Sequence, residues 1–515
     1  MFTYKIIFFL HILFRRIFKI DLRPFLIRFF YSFSLMNNKT LNEVQKISSY
    51  KLFIDKLYKA HKSYCLNKDK RALWELHRLD FLNNTRLPFK TRLDDLLIWI
   101  SNIKESELII FENMMECSLR ASNILIFYQN NKDKFSKDEI SLIRKFLKKT
   151  YFLNYLAPDM YFKRKGLILR DESNNHFMFC LFFQILYLNN LSNNIDKRLN
   201  FLLQYIECKF SVDGYLMEGS SFYSHSIANA TLKILFLINH NLNVKIFLNL
   251  FKALCSSVDD NLDLQNLNFG DKDGTIFLPS VDLDLEYKRY SENLTNGHKF
   301  DLKDNIALII QDDIKLIVNH RKVYDYGSLG HYHDDFGHFN LYDGKQALIV
   351  DPGTLSYSDP SMRFDKSHFH NAPSPENSES MIHLNNFEKK FVSKNNTLNT
   401  NDILTLSQKI SSGAWTREFS LNSVNIKDEF KFIRNSSMNI FLTSLPIINK
   451  YNTTAISLKF ENLIIKISCN ELFNYNIEPT VIAKTYSDPS RAYLLVMNFK
   501  KSIDYKLKWD IKCLN

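Results

Sequence analysis

The chain has 515 residues, of which 45% are hydrophobic and 14% aromatic, and its formal net charge is +12. That length exceeds what one hydrophobic core normally organises, so we expect two domains, and the apolar content excludes a disordered chain. The basic residues are dispersed, with no zinc finger, aromatic RNA-binding motif or arginine-rich arm, so nucleic acid is disfavoured and an acidic polysaccharide is the better polyanionic partner.

Residues 1–40 form a basic, aromatic segment. Its apolar run, Ile6–Phe14, is far shorter than the roughly 20 residues that cross a bilayer. Arg15 and Arg16 follow at once and no small-residue cleavage site appears, which argues against a signal peptide. Two interpretations stay open: an interfacial helix that gives residues 1–35 peripheral contact with an anionic membrane, or a helix that packs on the protein body.

Helical periodicity extends from about Leu41 to Asn296, where apolar residues recur at three- and four-residue spacing. The segments are Asp94–Ile103, Glu139–Lys149, Phe177–Leu188, Arg198–Cys208 and Ile227–Asn239. The third is apolar nearly all round, so we expect it to lie in the interior. The pattern predicts an all-α domain of many helices.

From about Asp301 the period changes to two, which is typical of strands. The segments are Ile306–Ile310, Ile314–Asn319, Phe339–Tyr342, Ala347–Val350, Ile456–Phe460, Leu463–Ile467 and Ala492–Asn498. A run of helices followed by a run of strands predicts two separate units, here an α domain and then a β-sandwich over residues 299–515.

Histidines concentrate between residues 331 and 371. On a strand, His331 and His333 would point to the same face. The following strands are predicted to meet at Asp343-Gly344, which would bring Asp351 close to His333, and His370 could reach the same place from the next loop. Two imidazoles and one carboxylate form a ligand set that zinc accepts, so His333, Asp351 and His370 are candidate metal ligands.

Two polar clusters in the helical half could carry chemistry. Asn175 and His176 directly precede the most apolar helix, where an N-cap explains one polar side chain but leaves the histidine unexplained. The second cluster, Asp213–His225, places Glu218 and Tyr223 in a loop that leads into a helix. Loops often carry function, although a turn with aromatic packing explains this cluster equally well.

Taken in order, these motifs resemble those of the heparinase II/III group of polysaccharide lyases. The matching residues are Asn175-His176; Asp213, Gly214, Glu218, Ser220 and Tyr223; His331, His333 and Asp335; Asp351-Pro352-Gly353-Thr354 and Tyr357; and His370-Asn371. A weaker match is Ser118-Leu119-Arg120, and the chain departs from the group's pattern at Ser224, His338 and Ala372-Pro373. Several motifs in the right order are more specific than any one of them.

The resemblance implies a multidomain α+β fold, with an N-terminal (α/α) incomplete toroid followed by a C-terminal antiparallel β-sandwich. The domains would then be the amino-terminal segment 1–40, a toroid over residues 41–298, and a heparinase II/III-like sandwich over residues 299–515.

The resemblance also implies a lyase that cleaves a uronic-acid-containing glycan by β-elimination. Asn175 and His176 would hold the substrate carboxylate, Tyr223 would act as general base, general acid or both, and His331 would assist. The implied substrate-binding residues are Glu218, Arg120 and Asp335. The implied ligands of a mainly structural zinc ion are His333, Asp351 and His370.

Two other functions stay open. A catalytically weakened glycan-binding or processing factor would serve bacterial surface-polysaccharide synthesis. The basic amino-terminal segment and the lack of an export signal favour it, and with it the bacterial cytoplasm or inner-membrane face over the periplasm. Hydrolysis by paired carboxylates is a weaker option, with Glu218 and Asp335 as its candidates. The polymer, its sulfation, endo or exo cutting and the oligomeric state stay open.

Overall fold

The computed structural model describes residues 74, 77–101, 113–155, 175–210, 216, 220–238, 306–320, 331–344, 346–356, 359, 363–376, 381–383, 389–391, 393–400, 402–421, 423–452, 454–485 and 488–514. Within these ranges, six helices precede two large antiparallel sheets, so the predicted α+β multidomain fold is confirmed. The segment 1–40 and the predicted domain boundary near residue 298 lie outside the described residues.

The chain divides into two compact units. One contains residues 1–208, 229–246 and 275–281, and the other contains residues 209–228, 247–274 and 282–515. The short segment that carries Tyr223 therefore groups with the sheets. The three domain ranges given above remain predictions.

The helices over the described part of the N-terminal half are α1 (Phe89–Ser101), α2 (Met114–Asn130), α3 (Lys137–Tyr155), α4 (Asn175–Asn190), α5 (Asp196–Lys209) and α6 (Ser221–Leu237). Five of them overlap the segments predicted from periodicity. Helix α4 is buried at every position from Phe177 to Tyr187 and packs against α2, as its all-round apolar sequence predicts. In the described ranges, no helix combines the length and the apolarity that crossing a membrane requires.

Helix α2 is not among the segments named from periodicity, because its polar side chains are buried together with its apolar ones. Arg78 donates two hydrogen bonds to the Glu116 carboxylate, each 2.7 Å long. Asn123 donates to the Arg78 carbonyl oxygen at 3.1 Å. Buried polar groups are stable when paired in this way, but they remove the apolar stripe that marks a helix in the sequence.

The strands in the described residues are β1 (Ile306–Gln311), β2 (Ile314–Asn319), β3 (Phe339–Asp343), β4 (Gln346–Val350), β5 (Ser374–Pro375), β6 (Met381–His383), β7 (Lys389–Phe391), β8 (Lys394–Asn399), β9 (Ile403–Ile410), β10 (Gly413–Ser420), β11 (Asn425–Phe432), β12 (Ser436–Leu442), β13 (Ile447–Asn452), β14 (Ala455–Lys459), β15 (Leu463–Cys469), β16 (Asn474–Thr485), β17 (Asp488–Phe499) and β18 (Tyr505–Cys513). All seven predicted strands are present.

Two sheets form the sandwich. Sheet A has the order β1-β2-β3-β4-β12-β17-β16, with β5 paired to β12, and sheet B has the order β13-β14-β15-β18-β11-β10-β9-β8. One continuous core takes Leu316 and Phe339 from sheet A and Trp415 and Phe430 from sheet B. The Phe339 ring meets the Trp509 ring edge-on, with centroids 5.5 Å apart. Inward-facing side chains from both sheets therefore fill a single layer, as in other sandwiches.

Candidate active site and metal centre

Residues 331–338 form a buried, irregular loop that leads into β3. The prediction that His331 and His333 lie on one strand is therefore wrong. Gly337 has a φ of +80°, a left-handed conformation that interrupts regular strand geometry. Its amide donates to the Asn319 carbonyl oxygen at 2.8 Å, so the loop is held by long-range backbone bonds instead of a continuous ladder.

Tyr223 and His331 are in direct contact. Their rings stack with centroids 3.8 Å apart and planes 19° from parallel. The tyrosine is 2% exposed and the histidine 8% exposed. Both residues belong to the unit that contains the sheets. The structure thus brings together two of the four predicted catalytic residues, although 108 positions separate them in the sequence.

The first turn of α6 holds Tyr223 in place. Ser220 caps the helix, because its hydroxyl oxygen accepts a hydrogen bond from the Tyr223 amide at 3.2 Å. Ser224 donates its hydroxyl to the Ser220 carbonyl oxygen at 2.8 Å and accepts from the Leu216 amide at 3.0 Å. Ser224, one of the departures from the family pattern, therefore ties this turn to Leu216. Glu218 lies outside the described residues.

His333, Asp351 and His370 form a compact buried cluster. One potential ligand atom from each lies within 4.8 Å of the others. His333 Nδ1 is 3.5 Å from Asp351 Oδ1, and His370 Nδ1 is 3.8 Å from Asp351 Oδ2. Asp351 directly follows β4, the strand that leaves the turn at Gly344, and His370 follows a short 3₁₀ helix, Ser367–Phe369. The predicted convergence of these three residues is therefore present.

The donor set fits a zinc ion. A tetrahedral ion with ligand bonds of about 2.0–2.1 Å keeps its ligand atoms about 3.3–3.4 Å apart. The 3.5 Å between His333 Nδ1 and Asp351 Oδ1 suits this spacing, and the 3.8 Å from His370 Nδ1 runs to the other carboxylate oxygen. Among the described residues, Asp351 Oδ2 and both ring nitrogens of His370 are buried without a hydrogen-bond partner. Such unsatisfied buried atoms are costly, and a metal ion would satisfy the carboxylate oxygen and one of the two ring nitrogens. The metal assignment itself stays a prediction.

The protonation states of the cluster suit metal binding. Burial lowers the pKa of His370 well below its ordinary value, and His338 and His333 lower it further against the opposing charge of Asp351. Burial alone would raise the pKa of Asp351, but the adjacent imidazoles, His333 foremost, outweigh it and hold that pKa below its ordinary range. A neutral imidazole and an ionised carboxylate are the forms that coordinate metals.

His338 and Asn340 support the cluster and were not among the predicted site residues. Burial lowers the pKa of His338 to about 4. Its Nδ1 accepts from the Asn371 amide at 3.1 Å, and its Nε2 lies 3.0 Å from Asn340 Oδ1. The same Asn340 oxygen accepts from the Asp351 amide at 2.8 Å. Both nitrogens of His338 are therefore occupied, so this residue organises the ligands and is not one itself.

The predicted residues of the helical unit lie at helix α4 and helix α2. Asn175 is the first residue of α4 and is buried, and the next residue, His176, is half-buried. Arg120 is 1% exposed. Its Nε donates to the His77 carbonyl oxygen at 2.5 Å, and its guanidinium lies over the Trp99 ring. The contacts of Arg120 that the structure shows are thus to the protein interior, and its substrate-binding role stays a prediction.

Asp335 lies in the loop at residues 331–338 and is 3% exposed. Its carbonyl oxygen accepts from the His338 amide at 2.9 Å, which closes the tight turn before β3. This backbone contact lies within the loop that also carries His331 and His333. Its role in substrate binding or hydrolysis stays a prediction.

The helical unit, the sandwich and the buried His-Asp-His cluster together give the fold that the motifs imply. The chain is similar to a solved structure of heparinase III, with a TM-score of 0.55, 14% identity, and coverage of 91% of this chain and 76% of that chain. It is also similar to heparan sulfate lyase HepC from Pedobacter heparinus, with a TM-score of 0.52, 12% identity, and coverage of 87% and 77% respectively. At this identity the likeness shows the fold alone.

A further solved structure, a heparinase III gene product with methylated lysines, has a TM-score of 0.54 at 15% identity and covers 87% of this chain and 78% of that chain. No protein-family model matches the chain, and no curated protein matches it. The resemblance to the heparinase II/III group is confirmed at the level of the fold.

Proposed function

We propose that this protein is a polysaccharide lyase that cleaves an acidic, uronic-acid-containing glycan by β-elimination. The observation that carries the proposal is the stacking of the Tyr223 and His331 rings. Tyr223 is a potential acid/base group, and the stacking brings it against the loop that also carries the candidate metal ligand His333. The fold shared with heparinase III and heparan sulfate lyase supports the choice of an acidic polysaccharide as substrate. Both of those proteins act on such polymers, as their names state.

Elimination begins with loss of the proton at C5 of the uronate. That proton is weakly acidic, so the negative charge that develops on the adjacent carboxylate must be stabilised. We assign this role to Asn175 and His176. Asn175 starts helix α4, and the amino end of a helix carries a partial positive charge that favours a carboxylate. Fixed donors of this kind stabilise the developing charge without reorganising during the reaction.

Tyr223 is proposed as the proton-transfer residue. Its phenolate oxygen would take the C5 proton, the C5 electron pair would form the C4–C5 double bond, and the C4–O4 bond would break. The leaving O4 would then receive a proton from the tyrosine. Face-to-face contact with His331 would favour the phenolate whenever the imidazole carries positive charge, because opposite charges at this distance attract strongly.

His333, Asp351 and His370 are proposed to hold zinc. When bound, the ion would supply a structural crosslink and no reacting group. It would join the loop at residues 331–338 to β4 and to the segment around His370. This crosslink would fix the position of His331 against Tyr223. Glu218, Arg120 and Asp335 remain the proposed substrate-binding residues.

The decisive test compares wild type with Tyr223→Phe on a panel of uronate-containing glycans. An unsaturated uronate absorbs in the ultraviolet, so elimination is followed directly. We expect product from wild type and a loss of roughly 10²- to 10⁴-fold in Tyr223→Phe, because the variant lacks the acid/base hydroxyl. Tyr205→Phe is the matched control, since this buried tyrosine lies in α5 against Phe177 and should retain turnover.

A second candidate is a glycan-binding or processing factor in bacterial surface-polysaccharide synthesis. The feature that favours it is the segment 1–40, in which six Lys or Arg against one Asp precede residue 29 among Phe, Ile and Leu. Such a segment would hold the protein at the inner-membrane face, where the polymer is made. Wild type that binds a uronate polymer without ever cleaving it would favour this function over the lyase.

A further inference from the structure

Arg417 is a buried arginine in β10 of sheet B, and its side chain is fully excluded from solvent. It forms an ion pair with Asp428 of the neighbouring strand β11: Nε donates to Oδ1 at 2.5 Å and Nη2 donates to Oδ2 at 3.1 Å. Trp509 orients the carboxylate by donating its ring N–H to Oδ2 at 2.8 Å. The arginine charge is thus neutralised on one side and its guanidinium plane is fixed.

The other edge of the guanidinium reaches across the sandwich to two loops. Nη1 donates to the Gly337 carbonyl oxygen at 2.8 Å and to Asn371 Oδ1 at 3.3 Å. Nη2 donates to the Asn371 carbonyl oxygen at 2.8 Å. Together with the two bonds to Asp428, these contacts use all five N–H groups that an arginine can donate.

The two loops are the ones that carry the histidines of the proposed site. Gly337 belongs to the loop with His331 and His333, and Asn371 directly follows His370. The Asn371 side chain also pairs with β3, because it accepts from the Phe339 amide at 3.0 Å and donates to the Phe339 carbonyl oxygen at 2.7 Å. One guanidinium therefore joins segments that supply two of the three candidate metal ligands.

Stability alone gives little reason for this arrangement. A buried ion pair repays its desolvation only with good geometry, and well-packed apolar residues often serve a core as well or better. Unlike an apolar side chain, arginine has a rigid planar guanidinium that can donate to several oxygen atoms at fixed angles. The contacts point to a role in holding geometry.

We propose that Arg417 is a positioning residue that sets the separation of His333 and His370, and so the affinity of the cluster for zinc. The inference rests on the proposed metal site. It assigns to sheet B, through Arg417 and Asp428, the support of a site whose ligands all lie outside that sheet. Residues that orient metal ligands typically contribute 10- to 100-fold to metal affinity, and we expect an effect of that size.

The test measures zinc affinity of the purified full-length protein by competition with a chelating indicator. Arg417→Lys keeps the charge but has too few donors in the wrong geometry, and should bind zinc 10- to 100-fold more weakly. The double variant Arg417→Met/Asp428→Leu removes both charges, so no unpaired charge is buried, and it should show the same weakening. Leu458→Ala is the control, because this fully buried residue lies in β14, which three strands of sheet B separate from β10, and its truncation should destabilise the same core.

Wild-type affinity in both Arg417 variants would overturn the positioning role while leaving the metal site intact. Equal weakening in Leu458→Ala would also overturn it, since the loss would then follow general stability. Failure of the wild type to bind zinc would overturn the metal site and this inference together. The expected result is weakening in both Arg417 variants and unchanged affinity in Leu458→Ala.

Discussion

Replacement of Gly337 by alanine should destabilise the sandwich more than the same change at another left-handed glycine. At Gly337 a Cβ atom would lie 2.5 Å from Cη2 of Trp415. That ring has little freedom to move, because Trp415 is 2% exposed and donates to Gln408 Oε1 at 3.0 Å. Gly344 has a φ of +54° and nothing within 4 Å of the same position, so it is the matched control.

The magnitudes follow from these two environments. A left-handed alanine costs about 1–2 kcal/mol at either position, and overpacking against Trp415 adds about 1–3 kcal/mol at Gly337 only. We expect Gly337→Ala to lower the free energy of unfolding by about 2–5 kcal/mol and Gly344→Ala by about 1–2 kcal/mol. Denaturant titration with linear extrapolation measures both. Equal losses in the two variants would refute the contact between Gly337 and the Trp415 ring.

Three further predictions concern single side chains. Burial and the neighbouring Asp94 raise the pKa of Asp95 to about 6, so its contribution to stability is present below about pH 4 and lost as the pH rises through 6. At pH 8 the free energy of unfolding of Asp95→Asn should therefore exceed that of wild type by about 1–2 kcal/mol, after discounting for solvent screening, and at pH 4 the two should be equal. Denaturant titration at both pH values measures the difference, and a difference that does not change with pH would contradict this. Asp351→Asn should abolish stoichiometric zinc, measured by elemental analysis, and retention of a full equivalent would rule out its role as ligand. Ser220→Ala should lower the free energy of unfolding by about 0.5–2 kcal/mol, because it removes the cap on α6, and should reduce turnover because Tyr223 is displaced. An unchanged melting temperature would contradict this prediction.

Strands and tight turns could be predicted from the sequence because each depends on the pattern of a few neighbouring residues. Strand β2, Ile314–Asn319, has the predicted bounds, and β3 and β4 meet at the predicted turn. That turn is also why the approach of Asp351 to His333 could be predicted. The strand predicted at residues 331–333 was wrong because these residues belong to a loop whose Asp334 and Gly337 amides bond to the distant residues Asp365 and Asn319. Periodicity in the sequence does not record such long-range bonds.

The sequence analysis did not predict the ion pair of Arg417 and Asp428 behind the candidate site, although part of the pattern that indicates it is present in the sequence. In β10, Arg417 stands between Trp415 and Phe419 with period two, so it occupies an inward-facing position of a strand. Asp428 occupies the matching position of β11 and is paired with Arg417 in the strand register. Opposite charges at facing inward positions are unusual enough to predict a buried ion pair. Nothing in the sequence, however, indicates that its remaining donors reach Gly337 and Asn371.

The most direct test of the central claim is the ultraviolet absorbance of a uronate-containing glycan incubated with wild type and with Tyr223→Phe. A lyase that uses the Tyr223 and His331 pair will generate unsaturated uronate ends with wild type, and the variant will bind the same glycan with almost no product. Saturated reducing ends, or full product formation by Tyr223→Phe, would contradict the account.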